Sequence, residues 1–228
     1  MSKTDPFFYK GTNNQGVLLC HTLAGEPAQM KELGKKLNKK GYTVSCPLYA
    51  GHGGTFNDVI HTEVTDWYDT VLQAYDELAS QVDDVYAVGM SIGGTFAVKL
   101  AQDKELKGVI SINGPVIGFD LPNDVFNFAK NTDDQALIKR YTVHRHHYFR
   151  FVTELGQIEN LKRITCPLFV LQGSLDLARY KTSAMLLMDY VSSETKQRRD
   201  YANSMHLILQ DNDKKQAIKD IIAFIEDN

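Results

Sequence analysis

A serine flanked by closely spaced glycines is the residue of this chain best suited to chemistry. Ser91 lies at the centre of the run Gly89-Met90-Ser91-Ile92-Gly93. The preceding residues, Val85 to Met90, form a short and mostly apolar run, which is typical of a strand buried on both faces. The residues from Ile92 onward have the apolar spacing of a helix packed against that strand. A sharp strand-to-helix turn requires glycines beside its central residue and pushes that residue's side chain outward, so Ser91 is a candidate nucleophile.

The same run of residues has a simpler interpretation that the motif alone does not exclude. A glycine-rich turn can join a strand to a helix in many α/β proteins, and Ser91 would then only cap the helix. The predicted strand before Ser91 and the predicted helix after it are the context that a nucleophile requires, and they favour the catalytic interpretation.

A serine hydroxyl needs a base to remove its proton, and a neutral histidine needs a partner that holds its ring in the correct tautomer. Asp176 directly follows a predicted strand in the run Gly173-Ser174-Leu175-Asp176. His206 follows the last predicted strand and precedes the closing helix. The chain order Ser91, Asp176, His206 is the order in which a parallel sheet with a serine elbow carries these groups. Each residue alone has a plain structural interpretation, as a turn Asp or a surface His.

An acyl-transfer site also needs hydrogen-bond donors for the oxyanion of the intermediate. The backbone N–H of the residue after the nucleophile, Ile92, is one candidate, with the helix dipole behind it. The loop after the first core strand supplies the second candidate, the N–H of Leu23. The alternative for Thr22 to Gly25 is an ordinary strand-to-helix turn.

The elements that position these groups alternate along the chain. This alternation predicts an α/β fold with a mostly parallel sheet and helices on both faces. The predicted strands are Gly16–Cys20, Tyr42–Tyr49, Val85–Met90, Gly108–Asn113, Pro167–Gly173 and a charged edge strand Lys196–Tyr201. The predicted helices begin near Pro27, Asp66, Ile92 and Ser183, and a last one carries Ile218, Ile221, Ile222 and Ile225.

A long insertion interrupts this alternation. Residues 118 to 161 are aromatic, charged and helical in pattern, and they contain no convincing strand. An insertion of this size is expected to lie over the carboxyl ends of the strands as a small helical cap, within one domain that spans residues 1–228. Its aromatic residues favour an apolar substrate, and the candidate substrate-binding residues are Phe119, Phe126 and Phe128.

Composition restricts the partners of this 228-residue chain. Its net charge of −3 gives no electrostatic footprint for nucleic acid or for an anionic membrane. No apolar run approaches the length of a spanning helix, and the N-terminal residues lack the pattern of a signal peptide. We therefore expect a cytoplasmic protein that acts on a small molecule, as a monomer or a weak homodimer.

Cysteine and histidine patterns point to no metal site. Cys20, Cys46 and Cys166 have no metal-ligand spacing and are expected to be buried free thiols. Cys20 and His21 are neighbours on a strand, where adjacent side chains point to opposite faces, so they should not form a nucleophile pair. A second group, His144, His146 and His147, lies in the insertion without an accompanying carboxylate or cysteine at ligand spacing. A solvated or substrate-facing helix is the expectation there.

These residues resemble one branch of a known superfamily. The motifs are His21-Thr22-Leu23-Ala24-Gly25, Tyr49-Ala50-Gly51-His52-Gly53, His61-Thr62 with Asp66-Trp67, the Ser91 elbow, the Asp176 loop and Ser204-Met205-His206. The chain is similar to the serine carboxylesterases and monoacylglycerol lipases of the α/β-hydrolase superfamily, over nearly its whole length. The resemblance implies a triad of Ser91, Asp176 and His206, oxyanion donors at Leu23 and Ile92, and a cap at about 118–161. The chain departs from that family at Thr22, where the family usually has glycine.

The expected function is hydrolysis of short- to medium-chain carboxylic esters through an acyl-enzyme, without cofactor or metal. Thioesterase, lactonase and perhydrolase activities stay open because the same triad serves all of them. A weakly catalytic binding protein of the same fold is the alternative from another class. Thr22 is the feature that points to it, because a β-branched residue does not readily adopt positive φ or allow a close backbone approach.

Overall fold

A mostly parallel β-sheet forms the centre of the protein. The computed structural model describes residues 2–118 and 135–228. The strands of these residues are β1 (Phe7–Tyr9), β2 (Gln15–Cys20), β3 (Thr43–Cys46), β4 (Asp84–Met90), β5 (Gly108–Ile112), β6 (Leu168–Gly173) and β7 (Lys196–Tyr201). They lie in the order β1-β3-β2-β4-β5-β6-β7. β1 pairs antiparallel with β3, and every other neighbouring pair is parallel.

Helices cover both faces of this sheet, as the alternating pattern predicts. The described α-helices are α1 (Lys31–Lys39), α2 (Phe56–Ile60), α3 (Val64–Ala79), α4 (Ile92–Asp103), α5 (Gln135–Leu155), α6 (Ile158–Leu161), α7 (Ala178–Tyr190) and α8 (Lys214–Asp227). Short 3-10 helices at Pro27–Met30 and Ile208–Gln210 precede α1 and α8. None of the described helices is both long and apolar enough to cross a membrane.

Successive strand residues contribute to two separate cores, one on each face of the sheet. In β2, Leu18 and Cys20 belong to the core that also contains residues of α3, α4 and α7, whereas Val17 and Leu19 belong to the core that contains residues of α1 and α8. Neighbouring side chains on a strand point to opposite faces, so a strand covered on both faces has no polar side. The apolar runs predicted as buried strands are confirmed by this arrangement.

The sequence pattern predicted several element boundaries wrongly. The second predicted strand, Tyr42–Tyr49, is shorter, because Pro47 has no N–H with which to continue the ladder beyond Cys46. β1 and α2 were not predicted, because segments of three and five residues are too short to show a hydrophobic period. α7 begins at Ala178, five residues before the expected Ser183. The edge position of β7 is confirmed, and most of its side chains are exposed.

Part of the predicted cap lies among the described residues. α5 and α6 fall within the predicted insertion and are helical as expected. α5 contacts the loop after α2, where the Arg140 guanidinium donates hydrogen bonds to the carbonyls of Ile60 (2.9 Å) and His61 (3.0 Å). One ring nitrogen of His147 lies 2.8 Å from a carboxylate oxygen of Glu63, at the start of α3. Phe119, Phe126 and Phe128 lie outside the described residues.

The expectation for the cap histidines was wrong at His144. Its side chain is 1% exposed, and its ring lies 5.1 Å from the ring of Trp67 between centroids. Burial lowers the pKa of His144, so the ring packs as a neutral aromatic group. His146 and His147 are exposed, as predicted for a solvated helix face. The helical spacing could not distinguish the buried histidine from its neighbours because its partner, Trp67, is distant in sequence.

Candidate active site

Ser91 occupies a sharp turn between β4 and α4. Its backbone has φ 59° and ψ −125°, a conformation that residues with a Cβ rarely adopt. The Ser91 N–H donates a hydrogen bond of 2.9 Å to the carbonyl of Ile112 at the end of β5. Strained backbone of this kind costs on the order of 1–3 kcal/mol and persists where the surrounding structure holds it in place. This strain marks Ser91 as a candidate functional residue.

The glycines around Ser91 are required by close backbone contacts. A Cβ on Gly89 would collide with the carbonyl oxygen of Gly93 in the first turn of α4. A Cβ on Gly93 would collide with the carbonyl oxygen of Cys20 at the end of β2. The strand, the helix and the neighbouring strand can approach this closely only because both positions lack side chains. The turn inferred from the glycine spacing is confirmed.

His206 joins Ser91 to Asp176. The Nε2 atom of His206 lies 2.8 Å from the Ser91 Oγ atom. Its Nδ1 atom lies 2.8 Å from the Asp176 Oδ2 atom. The histidine follows β7 and the aspartate follows β6, so both reach the carboxyl edge of the sheet where Ser91 ends β4. The three candidate catalytic residues, far apart in the chain, lie in one hydrogen-bonded line.

The two partners of Ser91 differ in exposure. The side chain of Asp176 is 3% exposed, and that of His206 is 26% exposed. The other oxygen of Asp176, Oδ1, accepts a hydrogen bond of 2.7 Å from the N–H of Leu177. A carboxylate fixed by donors on both oxygens can orient an imidazole and stabilise it when it is protonated. His206 is open enough to reach a bound substrate.

Carboxylates at the start of α8 hold the loop that carries His206. Asp211 accepts a hydrogen bond of 2.8 Å from the N–H of Met205. Asp213 accepts one of 2.9 Å from the N–H of Asn203 and another of 2.9 Å from the hydroxyl of Ser204. Sequence reasoning missed both aspartates because hydrogen bonds that link a loop to a helix start leave no periodic pattern. Their spacing, five and seven residues after His206, is the available signal.

The two candidate oxyanion donors are backbone N–H groups at the start of α4 and in the loop after β2. Among the described residues, the N–H groups of Leu23 and Ile92 find no hydrogen-bond acceptor. Ile92 is the first residue of α4, and the N–H groups of a helix's first turn have no acceptor within the helix. N–H groups without partners at such a place can hold an anionic oxygen.

Thr22 does not impose the strain that its β-branched side chain suggested. The positive φ of this loop falls on Ala24, at 49°, and Thr22 lies outside the left-handed region. The Thr22 hydroxyl donates a hydrogen bond of 2.9 Å to Oε1 of Gln29, and the N–H of Thr22 donates another of 3.3 Å to the same atom. The N–H of Gly25 donates to the carbonyl of Thr22 at 3.0 Å. The loop therefore accommodates a threonine and uses its hydroxyl to hold the turn.

Buried aromatic rings support the loop before Leu23. The His21 ring stacks on Tyr49, with centroids 3.8 Å apart. Its nitrogens contact the carbonyl of Thr22 (2.9 Å) and the N–H of Tyr49 (3.3 Å), so no nitrogen remains for Cys20. Burial lowers the pKa of His21 to about 3 and raises the pKa of the Cys20 thiol to about 12, so both stay neutral. The expectation that this neighbouring pair is structural agrees with these contacts.

The cysteine expectations hold in part. All three are free thiols; Cys20 and Cys46 are buried, and Cys166 is half-buried. No group of three or more histidine, cysteine, aspartate or glutamate side chains within residues 2–118 and 135–228 is placed to hold a metal ion.

Apolar side chains that sequence reasoning missed border the site. Leu175 and Leu177 flank Asp176 and are 58% and 56% exposed, and Met205 precedes His206 and is 60% exposed. The Tyr180 ring lies beside the His206 ring, with centroids 4.1 Å apart. Exposed large apolar residues beside a polar hydrogen-bonded line are typical of a surface that meets an apolar ligand. Their adjacency to Asp176 and His206 in the sequence was the available signal.

The comparisons with known proteins agree with this geometry. A family model described as alpha/beta hydrolase fold matches residues 16–139. The chain belongs to the α/β-hydrolase family. The matched segment of this α/β hydrolase contains the Ser91 elbow and ends before Asp176 and His206, which the structure adds at the expected edge of the sheet.

Individual relatives of this α/β hydrolase cover nearly its whole length. It is 28% identical to a carboxylesterase of Bacillus subtilis (strain 168) over 236 residues, 97% of this chain and 96% of the relative. It is also 28% identical to a thermostable monoacylglycerol lipase of Bacillus sp. (strain H-257), over 98% of this chain and 95% of the relative. A solved structure from work on the metagenome-derived lipolytic enzymes LipS and LipT has a TM-score of 0.84, with 23% identity and coverage of 99% and 98%. At that identity the structural likeness concerns the fold.

Proposed function

We propose that this α/β hydrolase is a serine carboxylesterase that hydrolyses short- to medium-chain carboxylic esters. The observation that carries the proposal is the line of two 2.8 Å contacts from Ser91 through His206 to Asp176, on a serine held at positive φ. The two bacterial relatives, named as a carboxylesterase and a monoacylglycerol lipase, support ester bonds as the substrate class.

In the proposed reaction, His206 accepts the Ser91 proton while the serine oxygen attacks the ester carbonyl. The tetrahedral oxyanion is held by the N–H groups of Leu23 and Ile92, and Asp176 stabilises the imidazolium. Collapse of the intermediate breaks the bond to the alcohol, which leaves with the proton from His206. Water, deprotonated by the same histidine, then attacks the acyl carbon. The bond from that carbon to the Ser91 oxygen breaks, the serine takes the proton back from His206, and the carboxylic acid is released. In each of these reaction steps the proton is transferred by His206, so the proposed reaction requires no metal or cofactor.

The apolar rim favours an ester with an apolar acyl chain or alcohol. Leu175, Leu177 and Met205 expose apolar surface and are sequence neighbours of Asp176 and His206. Burial of apolar surface supplies about 25 cal/mol per Å², so each methylene that reaches the rim adds to binding. Short- to medium-chain esters are the expected substrates, and a thioester, a lactone or hydrogen peroxide as the acyl acceptor would use the same groups.

A panel of p-nitrophenyl esters with acyl chains from acetate to laurate tests the proposal. We expect turnover by the wild-type protein and none above background by Ser91→Ala, with circular dichroism used to show that the variant is folded. Turnover by folded Ser91→Ala would overturn the catalytic role of the serine. A wild-type protein inert toward esters, and also toward a matched thioester and lactone, would favour a binding protein of this fold.

A further inference from the structure

Asn113 lies at the junction of the three chain segments that carry the proposed catalytic residues. It directly follows β5, the strand between β4 with Ser91 and β6 with the Asp176 loop. Its own N–H donates to the carbonyl of Leu171 in β6 at 2.9 Å, and the carbonyl of the preceding residue accepts the Ser91 N–H. The side chain is buried, with 2% of the residue exposed.

The carboxamide of Asn113 makes three hydrogen bonds to the backbone of the two neighbouring loops. Its Nδ2 atom donates to the carbonyl of His206 at 2.6 Å and to the carbonyl of Met205 at 3.1 Å. Its Oδ1 atom accepts from the N–H of Gly173, at the end of β6, at 2.8 Å. With nitrogen toward two carbonyls and oxygen toward an N–H, this amide orientation satisfies every contact.

These three bonds link the loop that carries the proposed base to the strand end that precedes its carboxylate. His206 belongs to a loop, and Asp176 follows Gly173 by three residues. One rigid amide that binds both segments fixes the His206 backbone relative to the strand end from which Asp176 emerges. Aspartate at this position would lack the two donors, and an apolar residue would leave buried carbonyls without partners.

We propose that Asn113 is a positioning residue of the active site, which holds the His206 loop so that the imidazole meets both Asp176 and Ser91. The proposal rests on the proposed function, because it concerns the efficiency of the same acid and base. Misplacement of a catalytic group by about 1 Å can cost on the order of 10²-fold in rate, so a buried amide can matter without touching substrate.

A simpler role is conceivable for Asn113 because its φ is 48°, a left-handed conformation that asparagine tolerates well. Asn113→Gly separates the two roles, since glycine keeps this conformation without strain and removes all three bonds. For p-nitrophenyl butyrate we expect kcat to fall by about 10- to 100-fold, with KM changed by less than about two-fold. The rate of Ser91 labelling by a fluorophosphonate should fall with kcat.

Asn38 in α1, which bonds to the edge strand β1, offers a control away from the candidate site. Its Nδ2 atom also donates to three backbone carbonyls, those of Tyr9 (3.4 Å), Lys10 (2.9 Å) and Tyr42 (3.1 Å). Asn38→Ala should lower stability and leave kcat unchanged. The proton between His206 Nδ1 and Asp176 Oδ2 is expected to give a downfield signal in proton NMR. That signal should persist in Asn38→Ala and be lost or broadened in Asn113→Gly.

The outcomes separate this proposal from the proposed function. If wild-type protein neither hydrolyses esters nor is labelled at Ser91, the proposed function fails first. If wild-type protein is active and folded Asn113→Gly keeps its kcat and its downfield signal, the positioning role is overturned. Should Asn113→Gly not fold, Asn113→Asp replaces it, because aspartate keeps the left-handed preference and the acceptor for Gly173. The same loss of kcat is expected there, and wild-type kcat in that variant would equally overturn the role.

Discussion

The ring of Tyr180 lies against the imidazole of His206, with centroids 4.1 Å apart and planes tilted by 40°. Tyr180 belongs to the first turn of α7, directly after the Asp176 loop. The histidine is therefore held by a ring on one side as well as by its hydrogen bonds to Ser91 and Asp176. An aromatic ring packed against the imidazole in this way limits its rotation.

Removing this ring should lower the catalytic rate more than removing its hydroxyl. In Tyr180→Ala the imidazole gains freedom to leave the line between Ser91 and Asp176, and we expect kcat to fall by about ten-fold or more. Tyr180→Phe keeps the ring and should retain most of the rate. Steady-state kinetics on one ester compare the two variants, and equal rates in Tyr180→Ala and wild type would show that the packing has no catalytic effect.

Gln29 should matter for the oxyanion loop although it lies outside the candidate triad. Its Oε1 atom accepts hydrogen bonds from both the N–H and the hydroxyl of Thr22, which precedes the candidate oxyanion donor Leu23. In Gln29→Ala we expect a lower kcat with little change in KM, by less than the roughly 10²- to 10³-fold that loss of a whole oxyanion donor costs. Gln29→Glu retains an acceptor and is the matched control. Unchanged kcat in Gln29→Ala would show that the loop holds its shape without this contact.

The strained backbone of Ser91 predicts a conflict between stability and activity. Alanine at this position keeps the Cβ that opposes a φ of 59°, whereas glycine removes it. Both variants should be inactive, and Ser91→Gly should be more stable than Ser91→Ala by about 1 kcal/mol. Urea unfolding of the two variants measures the difference. A glycine variant less stable than the alanine variant would mean that the turn carries no strain.

Buried neutral histidines should make the protein sensitive to acid. Burial lowers the pKa of His52 to about 4 and that of His21 to about 3. An unfolded histidine binds a proton below about pH 6.5, while the folded rings stay neutral. Above about pH 6.5 these two histidines therefore do not lower the free energy of unfolding. Below that pH it falls by about 1.4 kcal/mol per pH unit for each histidine that is fully protonated in the unfolded chain. The fall continues to the folded pKa of each ring, about 4 for His52 and about 3 for His21.

His52→Asn tests this pH dependence. Asparagine can replace the contact between the His52 Nδ1 atom and the carbonyl of Ala50, 3.0 Å in length, without a titrating group. Unfolding free energies measured from pH 7.5 to 5 should fall less steeply in this variant than in wild type. The exposed His146 gives the control His146→Asn, which should keep the wild-type slope. Equal slopes in all three proteins would contradict the role of His52.

The grouping of the three candidate residues could be predicted from the sequence more readily than the residues that hold them in place. Ser91, Asp176 and His206 could be placed at one edge of the sheet because each follows a strand, and the ends of strands can be predicted from apolar runs and glycines. Asn113 and Gln29 could not be identified from the sequence. Their hydrogen bonds to a backbone carbonyl or a hydroxyl of another segment produce no periodic pattern along the chain. His144 was misjudged for the same reason, since its burial depends on Trp67 in another helix. Short elements such as β1 and α2 lack the length to show any pattern.

Thr22 illustrates how backbone geometry can correct an inference from residue type. A β-branched residue in place of glycine suggested an impaired oxyanion loop. The positive φ lies instead at Ala24, two residues later, and Thr22 uses its hydroxyl to bind Gln29. The sequence pattern could not show which residue of the loop takes the unusual conformation.

The most direct test of the account is the site of covalent labelling by a fluorophosphonate, mapped by peptide mass spectrometry. A serine activated by His206 should form one stoichiometric adduct on the peptide that contains Ser91. Labelling should also be absent from folded Ser91→Ala. A wild-type protein that stays unlabelled at Ser91, or that carries the adduct on another residue, would contradict the account.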